Sequence, residues 1–585
     1  MHDRFAAALV LLAGVSVALW ALAMQAGGAA AAGDATLRPE ALYDKSFRFS
    51  WKAGAGSGQN GTATLRKDGT IAGIASPNES SWLIDGAGQL IFKHRDGRIS
   101  TIFTQAEQRG GRWFFSGPFR FREGVQHVLE EVPAGEAGGT GDELLQRIVR
   151  PYSKQRIVSL DPGEAVQFAL AGGATRTVRL VSVQDVRDSV NRLVRRAEVR
   201  VEIDGRPLDL VCAPYVMPTE TAGLRLQADT TTGWVPAMRK RAQLSLWDAA
   251  DPIVDVKRFG FPIRNYRLFS HGTQAFNEAL HLGRGDGDPA GLKGYHDYGF
   301  DMAGYEGGEE VVSAAEGKLV KFWPSRENLC GVNIEDAQGL TWSYVHLASV
   351  APGLVLGAPV AKGQKIGVLG KTGPSGNFSH LHLGREGNDK RLNLYPWLVA
   401  AYQAEHPKGL LAVARPHHTV RTGEKEVFDG ASSLAFGGKI VEWRWVFHDG
   451  QEVRQARAEK VYDKPGAYVA ALWVKDDKGA RDVDFCQVKV FSAANPESTM
   501  PHIFMTCTPT EDIRPGRPVR LRFWFQGRGG GPIQVDFDDD AHVAGYQSYT
   551  ELAHSFKAPG LHVVTAQTTA DGMPVAQKLK IVVGK

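Results

Sequence analysis

Cysteine is scarce in this chain. There are four in 585 residues, at positions 212, 330, 486 and 507, and no two stand in CxxC spacing. A zinc site built from cysteine is therefore excluded. Two arrangements remain: four separate buried thiols, or a Cys486–Cys507 bridge in an oxidising compartment. Charge of one sign is also lacking. Lys and Arg number 68 against 64 Asp and Glu, a net of +4. No basic cluster is dense enough to follow a phosphate backbone, so nucleic acid is excluded as a partner. Helical signals are few, and the best lie at 185–196 and 394–405.

What is present is ordinary globular composition, 43% hydrophobic and 23% charged. Long disorder is not expected, and the length suggests about three to five domains. At the N-terminus an apolar run from Phe5 to Met24 is followed by Gly27-Gly28-Ala29-Ala30-Ala31-Ala32. Residues 1–33 therefore read as an export signal with a small-residue cleavage region. The competing reading is an uncleaved N-terminal anchor, the one way a membrane enters the picture. Either way the chain is exported, and is expected to be periplasmic, at the cell surface or secreted.

After that segment the chain reads as β throughout. Asp68-Gly69, Asp85-Gly86, Asp96-Gly97 and Asp204-Gly205 each separate short alternating runs. That is a hairpin signal, because both residues tolerate positive φ. The fold class is mainly β and multidomain. A first β module is expected over 36–145, and a second over 150–260. Neither carries a cluster that points to chemistry, and spacer, inhibitor and binding roles stay open for both.

Residues 265–405 differ. They contain Gly294-Tyr295-His296-Asp297-Tyr298-Gly299-Phe300-Asp301-Met302-Ala303, then Trp342-Ser343-Tyr344-Val345-His346-Leu347, then Ser379-His380-Leu381-His382-Leu383. The alternation at 379–383 suggests a strand, which sends His380 and His382 to one face. His and carboxylate are zinc ligands, and three protein ligands plus water make a catalytic site. His296, Asp301 and one of the paired histidines can supply three. His346 and the other histidine then stand beside the metal to move protons or stabilise an oxyanion.

In this order the set resembles the lysostaphin-type zinc metallopeptidases, over about 100 residues. The resemblance implies an antiparallel β-sheet core with a loop-lined cleft. It implies that His296, Asp301 and His382 bind Zn2+ and that His346 and His380 are catalytic. It further implies an endopeptidase, with peptidoglycan cross-links of bacterial walls as substrate. The alternatives are an extracellular peptide substrate, or an inactive scaffold that binds wall or surface polymer. One departure stands out. The family reads His-x-Gly-x-Asp, whereas five positions separate His296 from Asp301 here. A β-bulge can absorb the extra residue, with irregular backbone expected at Gly299. His281 and Asp297 are the alternative donors at that position.

Two further β units follow. Residues 411–492 alternate between Asp-Gly and Pro-Gly turns, as in Trp443-Arg444-Trp445-Val446-Phe447-His448-Asp449-Gly450, and suggest a sandwich. The text is similar to PKD-type immunoglobulin-like domains. Residues 500–585 resemble a divergent copy, in which Asp538-Asp539-Asp540 is either an exposed turn or a calcium site. A polysaccharide or surface polymer is the partner these units suggest.

Overall fold

The structure, a computed structural model, describes residues 37–584. Excepted are 54–55, 73–77, 95, 133–140, 191, 237, 272, 275–278, 285–291, 297–298, 326–328, 338, 340, 374–378, 386–390, 494–499, 540–541 and 547–549. The export segment at 1–33 thus lies outside the described residues. Among the described residues no helix is long and apolar enough to cross a membrane. The chain divides into two compact units, 1–137 and 138–585.

In the first unit a six-stranded antiparallel sheet is built around Lys45–Ala53 and Val125–Glu131. A three-stranded sheet accompanies it, and Phe47, Phe49, Phe92, Phe103 and Phe115 fill the core. Gly69 and Gly97 take φ of 81° and 86° in their turns, as the Asp-Gly signals require.

The second unit begins with a helix, Gly141–Val149, and two four-stranded sheets. One hairpin joins Val194–Ile203 to Arg206–Cys212 through Asp204 and Gly205 alone, at φ 50° and 78°. This two-residue loop of left-handed residues matches the twist of the strands. The helix expected at 185–196 is absent. Residues 185–187 end the strand Thr175–Arg187, and residues 194–196 start its partner. Asp188 makes the turn: its Oδ1 accepts the Val190 N–H at 3.0 Å and its Oδ2 the Leu193 N–H at 3.2 Å. An Asp side chain bonding to nearby backbone stabilises a turn at the expense of a helix.

The central sheet is seven-stranded and antiparallel. Its order is Thr273–Gln274, Phe300–Ala303, His380–Arg385, Thr341–Val345, Leu329–Glu335, Gly317–Ser325 and Pro359–Val360. The expected helix is found at Tyr395–Glu405, with Pro396 in its first turn. This sheet does not close its core with its own residues. Phe300, Met302, Trp342, Tyr344 and Leu381 share one cluster with Ile148, Tyr152, Phe259 and Trp397. The Tyr152 hydroxyl donates to Asp336 Oδ2 at 2.9 Å, and Trp397 Nε1 donates to Gln155 Oε1 at 3.1 Å.

Nine of the C-terminal strands form one sheet, crossing from residues 418–491 to residues 533–583 by a parallel bridge of Ala467 and Val575, and the remaining described strands there form two two-stranded sheets and one three-stranded sheet. Lys580 Nζ, 2.9 Å from Asp482, ties the two halves in a buried ion pair. All four cysteines are free and buried, so Cys486 and Cys507 are not bridged. In the acidic turn Asp539 faces His554 Nε2 at 2.7 Å, and Asp540 lies outside the described residues.

Candidate metal centre

Register places the site. Phe300–Ala303 runs antiparallel to His380–Arg385, with Asp301 opposite His382 and Ala303 opposite His380. Alternation along a strand then puts Asp301, His380 and His382 on one face. Phe300, Met302, Leu381 and Leu383 point the other way and are wholly buried. The apolar face thus fixes the register, since a slip of one residue would exchange the two sets. His382 is also paired with Val345 on the far side, so the site sits on the interior strands of the sheet.

Asp301 stands between two imidazoles. His382 Nδ1 donates to its Oδ1 at 2.6 Å, and His380 Nε2 lies 3.4 Å from its Oδ2. Asp301 is 6% exposed and His380 4%. A carboxylate this deep is costly unless paired, and here each oxygen faces a ring nitrogen.

His346 arrives from the third strand. The Thr341–Val345 strand ends at it, and His346 itself takes φ 66°. A non-glycine residue in this region costs of order 1–3 kcal/mol and persists where the surroundings hold it. The turn lays its ring 4.6 Å from His380 and 6.2 Å from His382, centroid to centroid. His346 Nδ1 donates to the Thr372 carbonyl at 2.7 Å. The Nδ1 proton leaves the Nε2 lone pair as the acceptor of the neutral ring. Burial, and secondarily the neighbouring His380, brings this imidazole down to about 4.

His296 ends the strand Leu292–His296, paired with Ala279–Arg284 in a separate two-stranded sheet. Its side chain, with that of His281 and the whole of Asp297, lies outside the described residues. Pairing from Phe300 through Ala303 is regular, so the described part of this strand holds no bulge. Gly299 lies in a bend just before this strand and has no left-handed φ, and the two residues that precede it lie outside the described residues. A Cβ there would stand 2.3 Å from His382 Cε1 and 2.5 Å from its Nε2. The missing side chain is the space the ring occupies.

Thr372 and Gly370 were not legible as site residues. Thr372 acts through its carbonyl, so its identity carries no motif. Its hydroxyl donates to Leu347 O at 2.9 Å and accepts the Cys330 N–H at 2.8 Å, bracing the carbonyl that holds His346. Gly370 accepts the His380 N–H at 2.9 Å, and a Cβ there would meet Ala348 N at 2.1 Å.

The donor chemistry suits zinc, being carboxylate and imidazole on adjacent strands. Among the described residues no three His, Cys, Asp or Glu groups are set to hold a metal ion.

A β-sheet peptidase domain followed by an immunoglobulin-like sandwich is the class these features define. Residues 295–394 match peptidase family M23, the lysostaphin-type peptidases, and residues 411–490 match the PKD domain. Collagenase ColA of Clostridium perfringens is 33% identical over 79 residues, 14% of this chain. The chain spans 7% of the length of that relative. Among solved structures, lysostaphin of Staphylococcus simulans is 18% identical, covering 37% of this chain and 92% of its own, with TM-score 0.17. A zinc-containing peptidase from Vibrio cholerae is 13% identical, over 52% of this chain and 83% of its own, with TM-score 0.19. Csd3 of Helicobacter pylori is 14% identical, over 56% and 84%, with TM-score 0.20.

Proposed function

We propose that this chain is an exported zinc metalloendopeptidase that hydrolyses peptide cross-links of bacterial peptidoglycan. One observation carries the reading. A buried carboxylate, Asp301, faces His382 and His380, with His346 packed against the same pair, inside the segment that matches a peptidase family.

In this reading Asp301, His382 and His296 hold the metal, which when bound supplies an acidified water and a Lewis acid for the scissile carbonyl. His346 keeps its Nδ1 proton on Thr372, so its Nε2 would be free to accept a proton from an attacking water or to bond the developing oxyanion. His380 is fixed by its backbone bond to Gly370, and its ring nitrogen faces Asp301. It orients the carboxylate and can pass a proton to the leaving amine. The interior position of the three strands keeps these groups rigid, which is what preorganised catalysis needs. The PKD domain and the unit after it supply retention on wall polysaccharide or surface polymer.

The test is elemental analysis and hydrolysis on one preparation of the full chain, with purified peptidoglycan and gelatin as parallel substrates. One zinc per chain and release of wall peptides are expected. Zinc with cleavage of gelatin alone would move the substrate to extracellular protein. Neither zinc nor hydrolysis would leave the polymer-binding scaffold as the better reading.

A further inference from the structure

The candidate site is braced from outside its own sheet. Directly after the strand that carries Asp301, the chain turns through residues 304–309. The Gly307 N–H donates to Leu369 O at 2.8 Å, and the Leu369 N–H to Glu309 O at 3.0 Å. The turn is thereby joined to residues 369–372, the segment whose Thr372 carbonyl orients His346. A side-chain link runs in parallel: Lys371 Nζ lies 3.3 Å from Glu306 Oε2.

The last β unit closes on the same glutamate. Arg522, in the strand Val519–Gln526, donates through Nη1 to Glu306 Oε2 at 3.1 Å. Its guanidinium also contacts Glu551 and lies 4.3 Å from the centre of the Tyr305 ring. Tyr305 in turn donates its hydroxyl to Glu551. The Arg522 side chain is 14% exposed. Thr508 Oγ1 stands 2.8 Å from where a Cβ of Gly308 would be, so turn and unit are in direct contact.

An exposed ion pair of this kind contributes little, about 0–1 kcal/mol. Arg522 is different in three respects. It is mostly buried, it is shared by two carboxylates, and it lies over an aromatic ring, where a desolvated cation gains more. It is therefore placed to fix the turn. Lys371 and Arg522 approach one carboxylate from opposite domains, so movement of either is felt at the other.

We propose that Arg522 is a positioning residue of the peptidase site. Through Glu306 and Lys371 it fixes the segment that carries the Thr372 carbonyl, and so the orientation of His346. The inference rests on residues 295–394 being a live peptidase.

The experiment uses the full zinc-loaded chain and a soluble peptide substrate. Arg522→Ala should lower kcat about tenfold or more with KM little changed, because misplacement of a catalytic group acts on the reacting geometry. Zinc content should stay at the wild-type level. Arg522→Lys should recover part of the loss. Lys371→Ala should lower kcat in the same way, and the double variant should be no worse than the more damaged single one, as for groups in one network. If Arg522→Ala does not fold, Glu306→Gln keeps the shape, removes the shared charge and should lower kcat likewise. Arg444→Ala, which breaks a comparable Arg–Glu pair within the PKD domain, should leave kcat unchanged. Wild-type kcat in folded Arg522→Ala or Glu306→Gln, or losses that simply add, would overturn the proposal. A wild-type chain that holds zinc but cleaves nothing would overturn the peptidase reading itself.

Discussion

Replacing Gly299 with alanine should disable the site while leaving the fold in place. The added Cβ would stand 2.3 Å from His382 Cε1 and 2.5 Å from Nε2. Ordinary carbon contacts lie at about 3.5–4.0 Å, so the ring must retreat by about 1 Å. The backbone that follows is held by sheet pairing and cannot yield as readily, since Phe300 faces Leu383 and Asp301 faces His382. The His382 side chain is 12% exposed and can tilt. The stability loss should therefore fall toward the low end of the about 1–3 kcal/mol typical of overpacking. The functional loss should be larger. Displacement of about 1 Å at a reacting centre can cost 10²-fold, which corresponds to about 2.7 kcal/mol of barrier. The assay is elemental analysis for zinc, steady-state hydrolysis and urea unfolding on one preparation. Expected are weakened zinc binding, hydrolysis reduced by about 10²-fold or more, and a small shift in midpoint. The double variant Gly299→Ala/His382→Ala should regain the stability lost by the first change, because the collision disappears. Full zinc content and normal turnover in Gly299→Ala would refute the account of this contact.

Asp301→Ala and His382→Ala should each remove most of the zinc; one zinc per chain in both would sink the ligand assignment. His346→Ala and His380→Ala should retain zinc yet lose hydrolysis by about 10²-fold or more, and near-normal turnover in either would remove that residue from the mechanism. A 265–410 fragment should be unstable or insoluble, because it lacks Tyr152 and Phe259 of the shared core. Each absent ring is a loss of about 3–5 kcal/mol against a total of about 5–15, and a cooperative thermal transition in that fragment would contradict this. In the first unit, burial brings His127 down to about 4 from 6.5, with Glu79 3.9 Å away. The unfolded chain then binds the extra proton between those values, so stability is full above about 6.5 and falls as pH drops toward 4. His127→Gln should flatten that dependence in urea midpoints taken at pH 7 and pH 5.

Local pattern carried much of this structure. Asp204-Gly205 specified a hairpin because positive φ at two successive residues admits few other side chains. His380 and His382 share a face because the apolar residues between and around them demand burial on the other. The segment at 185–196 misled because Asp188 acts as a turn residue through its own side chain, and strand pairing overrides local propensity. The role of Gly299 was out of reach for a different reason. Its requirement comes from a ring 83 positions away that must pass over it. Thr372 works through a backbone atom that every residue possesses. The shared core was invisible because Tyr152 and Asp336 meet only in the folded chain.

The parallel bridge between Ala467 and Val575 has a mechanical meaning. Read along the chain, the C-terminal half looks like two beads that could be strung, exchanged or duplicated one at a time. The continuous sheet makes them a single strut. The bridge joins the two at one residue pair, and beside it Lys580 supplies the buried counter-charge of Asp482, whose Oδ2 also accepts the Ala412 N–H at 2.9 Å. Were the last unit to hold a surface, that surface would stand from the peptidase domain at a distance set by the fold and not by a tether.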